Sequence, residues 1–449
     1  MIQQMFALYE FEQVHFRRYL RNVYIKGVTM AINIISSKDL YNIVKKTLEI
    51  MSKEIMKHGE ITGYILYKML QTEGRHSELE LAEYSMIGMM HDIGVIKTGH
   101  NGGLVSVETK NVWAHSIYGY LFLRYLSPVS DKANIVLYHH LPYKLHSDIK
   151  NDYWRITEYL TVADKMDVYM RMKGHGMEQD YFVKNADVTF SSAALKLFNA
   201  AQAKYNILEK LKTGEYEAEM EELFSNACFS EKYKKGFLEM LIYAIDFRSH
   251  QTVVHSLATT TFAVNIARLM RVPTEDLQIV YYGALLHDIG KIAIPLEILE
   301  APRRLNDEEM RIMKAHVMIT ESILRGIIDD RVLEVAIRHH EKLDGSGYHR
   351  GLNGKELNTL QRIVAVADIL SALYGKRSYK EAFDVQKIKD LMQEDADSGK
   401  ICPKITGVVI SNMQRILSNF EKQRDETIGV YETILDQYEI IYKNFKQFE

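Results

Sequence analysis

Apolar residues recur at helical spacing along most of the chain, which is the mark of amphipathic α-helices. Examples are Leu257, Phe262, Val264, Ile266 and Leu269, followed by the segment 363–373. Only 6 prolines occur in 449 residues. Alternating strand-like runs bounded by Asn-Gly or Asp-Gly turns are scarce. The pattern therefore predicts an all-α protein.

The length predicts two domains, because one hydrophobic core rarely serves 449 residues. Residues 205–245 are rich in Glu and Lys, and no Gly/Pro-rich break of the kind found in flexible linkers interrupts them. We predict an N-terminal helical domain over 1–180, a helical connector over 181–245, and a C-terminal domain with a terminal helix over 246–449. The amphipathic stretch 405–449 is either a packing helix of the second domain or a contact in a homodimer.

Five landmarks made of histidine and aspartate occur in the same order in both halves of the chain. The N-terminal copy comprises His58, His91, Asp92, His115, His139, His140 and Asp164. The C-terminal copy comprises His255, His287, Asp288, His316, His339, His340 and Asp368. The two copies include 10 of the 17 histidines, and their contexts agree, with MMHDIG against LLHDIG and TVADKMD against AVADILS. The repeat indicates two tandem helical bundles.

Charge and cysteine content narrow the class of protein. A net charge of -3 and a pI near 6.6 provide no basic field for duplex nucleic acid. Cys228 and Cys402 match no metal or redox spacing, which favours reduced thiols. No apolar run reaches the about 18 residues of a membrane span, and no signal peptide is evident. We therefore expect a cytoplasmic protein without a membrane partner.

Imidazoles together with carboxylates favour a site for divalent metal ions. Five histidines and two aspartates per copy are too many for one ion that must keep open positions, so two ions that share a bridging carboxylate fit the count. Iron or manganese is the first expectation, with nickel, cobalt or zinc as alternatives. The N-terminal copy is the weaker candidate for a metal site, because a duplicated domain can retain its metal-ligating residues after it has lost activity.

Residues 250–385 resemble the HD-GYP subgroup of the HD phosphohydrolase superfamily. The motifs that carry the resemblance are HSLATTTFAVNIARLM, GALLHDIGKIAIPLEIL, LNDEEMRIMKAH, HHEKLDGSGYHRGLNG and RIVAVADILSALYGKRSYKEAF. The resemblance implies that the landmark residues of the C-terminal copy are metal ligands. It also implies that Lys291 stabilises charge at phosphorus, and that Arg377 and Lys380 hold substrate phosphates. Tyr348, on the glycine-rich loop, either packs the loop or stacks on a base of the substrate.

Several positions depart from the family pattern. His349 replaces the proline of the GYP signature, which loosens the loop and makes His349 either a surface residue or a substrate contact. Gln251 stands where members with three metal ions have a glutamate, which favours two ions. Ser371 replaces an aspartate that is common in the family.

Residues 50–170 resemble a divergent HD domain. Glu54 lies four residues before His58 and completes a second candidate ligand set, but Val95 replaces the lysine of HDIGK and HHLPYKLHSD replaces the glycine-rich loop. These changes favour a regulatory or packing role for this half over turnover.

The resemblance implies a phosphodiesterase that opens a bacterial cyclic dinucleotide, cyclic di-GMP or 3′,3′-cyclic GMP-AMP, to the linear dinucleotide and in some members on to mononucleotides. Water activated by bound metal ions would attack the phosphate, with Asp288 as the bridging ligand and Asp368 bound to one ion. One alternative is a non-catalytic sensor that holds the cyclic dinucleotide and signals through the tandem domains. The other is a nucleotidohydrolase of a different HD subgroup, which would lack HHEKLDGSGY.

Overall fold

The computed structural model describes residues 34–99, 104, 112–172, 180–249, 252–375 and 384–446. These residues contain no β-strand beyond the isolated bridges Ala186–Phe190 and Asp344–Asn353. The all-α prediction is confirmed. Within the described ranges, no helix combines the length and the apolar composition that spanning a membrane requires.

The helices follow one another with short connections. From the N-terminus they are α1 Ser37–Met51, α2 Lys53–Glu73, α3 Glu78–Met89, α4 Val95–Thr98, α5 Val112–Leu126, α6 Asn134–Leu137, α7 Trp154–Met172, α8 Tyr181–Lys184, α9 Ser192–Tyr205, α10 Ile207–Thr213, α11 Glu215–Asn226, α12 Glu231–Asp246, α13 His255–Leu269, α14 Thr274–Leu286, α15 Leu296–Leu299, α16 Asp307–Leu324, α17 Asp330–Ile337, α18 Thr359–Gly375, α19 Val385–Asp397, α20 Pro403–Ser411 and α21 Met413–Phe445. Short 3₁₀ turns cover Ser130–Lys132, Tyr143–Asp148 and Ile289–Ala293.

Three of these helices begin at a capping box. In each, a Ser or Asn side chain accepts a hydrogen bond from the backbone three residues later, and the acid at that position bonds back to the cap amide. The pairs are Ser36 with Asp39 in α1, Ser77 with Glu80 in α3, and Asn306 with Glu309 in α16. Local sequence therefore fixes where these helices start.

The described chain forms two compact units. The N-terminal unit comprises Ser36–Ala244 with Thr433–Glu449, and the C-terminal unit comprises Ile245–Glu432. Helices of the predicted connector pack inside the N-terminal unit, where α9 contacts α2 and α7, and α11 contacts α1 and α3. The last part of α21 also belongs there, and Tyr438 stacks on Tyr118 at 4.1 Å between ring centroids. The limits 1–180, 181–245 and 246–449 stay a prediction.

In the N-terminal unit, glycines allow α2 and α3 to approach closely. A Cβ on Gly59 would lie 2.3 Å from the carbonyl oxygen of Met89, and one on Gly63 would lie 2.6 Å from that of Ser85. Larger residues would push the helices apart. This close packing brings His58, on α2, next to the residues that follow α3.

In the C-terminal unit, α13 packs against α14 and α18, and α14 packs against α17. Gly283 permits the second contact, because a Cβ there would lie 2.4 Å from Cγ1 of Val335. Phe262 on α13 is fully buried against Phe420, with ring centroids 5.0 Å apart. The packing directs the start of α13 and the ends of α14 and α17 toward one region beside α18.

Candidate metal centre

All seven landmark side chains of the C-terminal copy converge in one cluster, although five separate helical elements supply them. His255 begins α13, His287 and Asp288 follow α14, His316 lies on α16, His339 and His340 follow α17, and Asp368 lies on α18. We call this set the C-terminal cluster.

Asp288 lies at the middle of the C-terminal cluster. Its Oδ2 is 3.0 Å from Nε2 of His255 and 3.0 Å from Nε2 of His287. Its Oδ1 faces the other side, 3.2 Å from Nε2 of His316. Asp368 closes the cluster, with Oδ1 at 3.2 Å from Nε2 of His255. A carboxylate with its two oxygens on different imidazole groups has the arrangement of a bridging ligand.

Backbone contacts fix the orientation of the imidazoles. In His287, His316 and His339, Nδ1 lies 2.6–2.7 Å from the carbonyl oxygen three residues earlier. A carbonyl only accepts, so Nδ1 must carry a proton, and Nε2 is the nitrogen that faces the cluster. His255 is held differently, with Nδ1 at 3.0 Å from Oγ of Ser371. Such contacts behind a ligand orient it for metal binding.

The donor set fits divalent ions. Three overlapping groups each place their ligand atoms within 4.8 Å of one another: His316, His339 and His340; His255, His287 and Asp368; and His287, Asp288 and His339. Oδ1 of Asp288 is buried and accepts no hydrogen bond from any residue the structure describes. Burying such an oxygen without a partner is costly, and a bound cation would satisfy it.

Burial and neighbouring charges set different protonation states for different ligands of the C-terminal cluster. Burial alone would raise the pKa of Asp288, but His287 and Lys291 outweigh it and hold that pKa well below its usual range. Burial lowers the pKa of His340 to about 3. An ionised carboxylate and a neutral imidazole are the forms that bind metal. In contrast, Asp288 and Asp368 outweigh burial at His287 and raise its pKa to about 10, so a cation must displace a proton there.

Lys291 places a positive charge directly at the cluster. Its Nζ contacts Oδ2 of Asp288, and its side chain is 16% exposed. Burial lowers the pKa of Lys291, but the charges of Asp288 and Asp368 outweigh burial. The net effect is a raised pKa, so the ammonium stays charged. A charged and partly accessible amine suits contact with an anionic ligand.

The glycine-rich loop lies over one side of the C-terminal cluster. The ring of Tyr348 packs on His340, with centroids 4.6 Å apart, and Glu341 anchors the loop by accepting hydrogen bonds from the amides of Arg350 and Leu352 at 2.7 and 2.9 Å. His349 instead contacts Glu321, with Nε2 at 3.0 Å from Oε2. The structure therefore pairs His349 with an acid of α16.

Gly290 fixes the backbone distance between the HDIGK turn and α16. A Cβ on Gly290 would lie 2.1 Å from the carbonyl oxygen of His316 and 2.7 Å from the amide nitrogen of Thr320. We expect Gly290→Ala to destabilise the protein by more than about 3 kcal/mol, measured by chemical denaturation. Gly407→Ala on α20 is the control, because its Cβ would meet nothing within 4 Å. Equal stability of the two variants would contradict the packing argument.

The landmarks of the N-terminal copy also converge, in what we call the N-terminal cluster. Nε2 of His58 lies 3.2 Å from Oδ1 of Asp164, and Nε2 of His115 lies 3.3 Å from Oδ1 of Asp92. Two groups have metal-binding spacing: His58, His91 and Asp92; and His115, His139 and His140. Both carboxylate oxygens of Asp92 are buried without a hydrogen bond from the described residues. This donor set also fits a cation.

The two clusters differ in access to solvent. The side chains of His255 and His340 are 16% and 28% exposed, whereas their counterparts His58 and His140 are 0% and 3% exposed. The position of Lys291 is taken by Val95, which packs with Ile55, Leu104 and Met51. Among the described residues, the C-terminal cluster is therefore partly exposed to solvent and the N-terminal cluster is almost fully buried.

Three polar residues of the N-terminal unit have contacts that the sequence did not predict. Glu54 is exposed, and its carboxylate accepts a hydrogen bond from the amide of Leu104 at 3.2 Å, so the structure does not bring it into the N-terminal cluster. Asp167 lies 2.8 Å from Nδ1 of His58, where the C-terminal copy has Ser371. Lys165 lies 3.1 Å from Oδ2 of Asp164. The repeat alignment placed Asp167 opposite Ser371 but gave no sign of the contact.

Other predicted site residues, Arg377 and Lys380, lie outside the described residues, as does Gln251. Arg248, which no sequence motif pointed to, binds with its guanidinium the turn that carries Lys291. In the sequence, this role was indicated only by the position of the arginine seven residues before His255.

Comparisons with known proteins agree with the repeat. Residues 55–172 and residues 239–405 each match the HD domain family. The chain is 26% identical over 416 residues to 3′3′-cGAMP-specific phosphodiesterase 1 of Vibrio cholerae, covering 87% of this chain and 95% of that protein. It is 39% identical over 157 residues to the cyclic di-GMP phosphodiesterase response regulator RpfG of Xanthomonas campestris, covering 34% of this chain and 41% of that protein.

A solved structure shares the fold. The crystal structure of a cyclic GMP-AMP-specific phosphodiesterase of Vibrio cholerae superimposes with a TM-score of 0.53 at 18% identity. The match covers 85% of this chain and 98% of that one. At this identity the likeness concerns the arrangement of the helices.

Proposed function

We propose that this chain, a member of the HD family with two HD domains in tandem, is a metal-dependent phosphodiesterase that hydrolyses a bacterial cyclic dinucleotide. The observation that carries the proposal is the C-terminal cluster, in which two carboxylates and five imidazoles converge beside the partly exposed Lys291. The named activities of the Vibrio and Xanthomonas relatives supply the substrate class, either cyclic GMP-AMP or cyclic di-GMP.

In the proposed mechanism, the residues of the C-terminal cluster would hold two divalent ions, iron or manganese first, with Asp288 as a central ligand. When bound, such ions make water acidic enough to attack phosphorus near neutral pH and attract the phosphate oxygens. The backbone-held imidazoles keep their Nε2 atoms directed at the ions, so little reorganisation accompanies binding.

Lys291 and Tyr348 act on the substrate in this proposal. The ammonium of Lys291, beside Asp288, stabilises the negative charge that develops on the phosphate as the new bond to oxygen forms and the ester bond breaks. The ring of Tyr348, packed on His340, lines the side of the substrate. Arg377 and Lys380 follow α18 in sequence and are the proposed contacts for the phosphates.

The N-terminal cluster is proposed as a second metal site that does not turn over the substrate. Its side chains are closed to solvent, and Val95 occupies the place of Lys291. Lys165 places a positive charge beside Asp164, but the ligands are almost fully buried, so the cluster can hold an ion while a phosphate has little access to it. A regulatory or packing role follows for the N-terminal HD domain.

The proposal is tested with protein purified without oxygen and incubated with cyclic di-GMP, 3′,3′-cyclic GMP-AMP and cyclic di-AMP. We expect a linear dinucleotide from at least one of the first two, followed by chromatography, together with bound metal measured by elemental analysis. Binding of a cyclic dinucleotide by metal-loaded protein without any linear product would contradict the enzyme and favour a sensor.

The metal content and the hydrolysis of two matched variants distinguish the roles of the two clusters. We expect His287→Ala to remove the ions of the C-terminal cluster together with hydrolysis. His91→Ala, the matched change in the N-terminal cluster, should lower metal content and leave hydrolysis within about twofold, since the closed cluster does not contact substrate. Hydrolysis lost in both variants, with each still folded by circular dichroism, would refute the division of roles.

A further inference from the structure

Arg248 holds the turn that presents Lys291 to the C-terminal cluster. Its Nη1 donates to the carbonyl oxygens of Lys291 and Ile292 at 3.0 and 2.6 Å, and its Nη2 donates to that of Ile294 at 3.3 Å. The side chain is only part-buried, so these three bonds compete with water for the guanidinium. A planar guanidinium can bind three carbonyls at once, which a lysine ammonium cannot do in the same geometry.

The carbonyls of Lys291 and Ile292 belong to a short 3₁₀ turn, Ile289–Ala293, which starts directly after Asp288, and Ile294 caps the end of this turn. Such turns have weak internal hydrogen bonds and unsatisfied carbonyls at their ends. At its start the turn is tied to α16, because the amide of Gly290 donates to Oγ1 of Thr320 at 3.1 Å. Arg248 ties down its end, and Lys291 lies between these two attachments.

The N-terminal copy lacks both members of this arrangement. Met51 lies seven residues before His58, as Arg248 lies seven before His255, and Val95 occupies the place of Lys291. Met51 and Val95 pack in one apolar cluster with Ile55 and Leu104. The C-terminal copy therefore has both Arg248 and Lys291, whereas the N-terminal copy has the apolar residues Met51 and Val95 at the two corresponding positions.

We propose that Arg248 is a positioning residue that sets the place of the Lys291 ammonium against the substrate phosphate. The inference rests on the proposed function and adds to it a residue that lies outside the cluster and touches neither the metal ligands nor the substrate. Arg248 acts only through the backbone of the turn, so its effect on turnover depends on the presence of the Lys291 side chain.

A double-mutant cycle tests this dependence. We expect Arg248→Lys to lower kcat about ten- to a hundredfold, because small misplacements of a catalytic group have effects of this size. KM and metal content should stay within about twofold of the unchanged protein. In a Lys291→Met background, Arg248→Lys should change kcat less than about twofold, since there is no ammonium left to misplace. Effects that multiply across the two sites would indicate general structural damage and overturn the proposal.

Hydrogen exchange tests the same idea without turnover. We expect faster amide exchange over residues 289–294 in Arg248→Lys, with exchange elsewhere in the C-terminal unit unchanged. Arg362→Lys is the matched control, because Arg362 also donates to backbone carbonyls, of Leu357 and Gly354, in the same unit. Unchanged exchange over 289–294 would overturn the proposal. If the unchanged protein cleaves no cyclic dinucleotide, the proposed function fails and exchange still decides the role of Arg248.

Discussion

Asp288→Asn is expected to reduce hydrolysis of a cyclic dinucleotide by at least about a thousandfold, because metal ligation at such a site contributes several kcal/mol. The carboxylate presents one oxygen to His255 and His287 and the other to His316. Asparagine retains one weaker oxygen and turns the other position into a donor, which cannot bind a cation. Elemental analysis measures the loss of bound metal, and initial rates measure the loss of hydrolysis.

The counterpart Asp92→Asn provides the control within the same chain. Asp92 contacts His91 and His115 as Asp288 contacts its imidazoles, so the two variants share the same chemical change and the same kind of environment. We expect Asp92→Asn to lower metal content and keep hydrolysis within about twofold. A fully active, metal-replete Asp288→Asn protein would rule out a shared ligand at this position.

Lys291→Met is expected to lower kcat about a hundred- to a thousandfold while the metal content stays the same, which is the usual cost of removing one preorganised group at a reacting phosphate or carbonyl. Methionine keeps most of the length of the side chain and removes only the charge. The contact between Nζ and Asp288 places that charge at the centre of the C-terminal cluster. The measurement is steady-state kinetics on metal-loaded protein.

Lys355→Met serves as the control for Lys291→Met, since Lys355 is exposed on a loop of the same unit. It should leave kcat and KM within about twofold. A Lys291→Met protein that keeps more than half of its kcat would show that the ammonium does not stabilise charge on the substrate. Loss of metal from this variant would instead assign Lys291 a role in holding Asp288.

The sequence identified which side chains converge, because the information was local and repeated. Each His-Asp or His-His pair follows a short apolar helical segment, so helical periodicity placed it at the end of a buried helix. The order of the landmarks, repeated at an offset near 200 residues, then linked five elements that are distant along the chain. The all-helical class followed from the same periodicity and the low proline content.

The tertiary structure decided which polar residues contact one another and how exposed each cluster is. Glu54 had the right spacing from His58, yet its carboxylate binds the amide of Leu104, and spacing alone could not reveal that competing partner. Arg248 and its three carbonyls are more than 40 residues apart in the chain. The difference in solvent exposure between the two clusters also depends on packing. Such hydrogen bonds and solvent access arise only when distant segments pack, whereas helix formation and the periodic placement of ligands depend on near neighbours in the sequence.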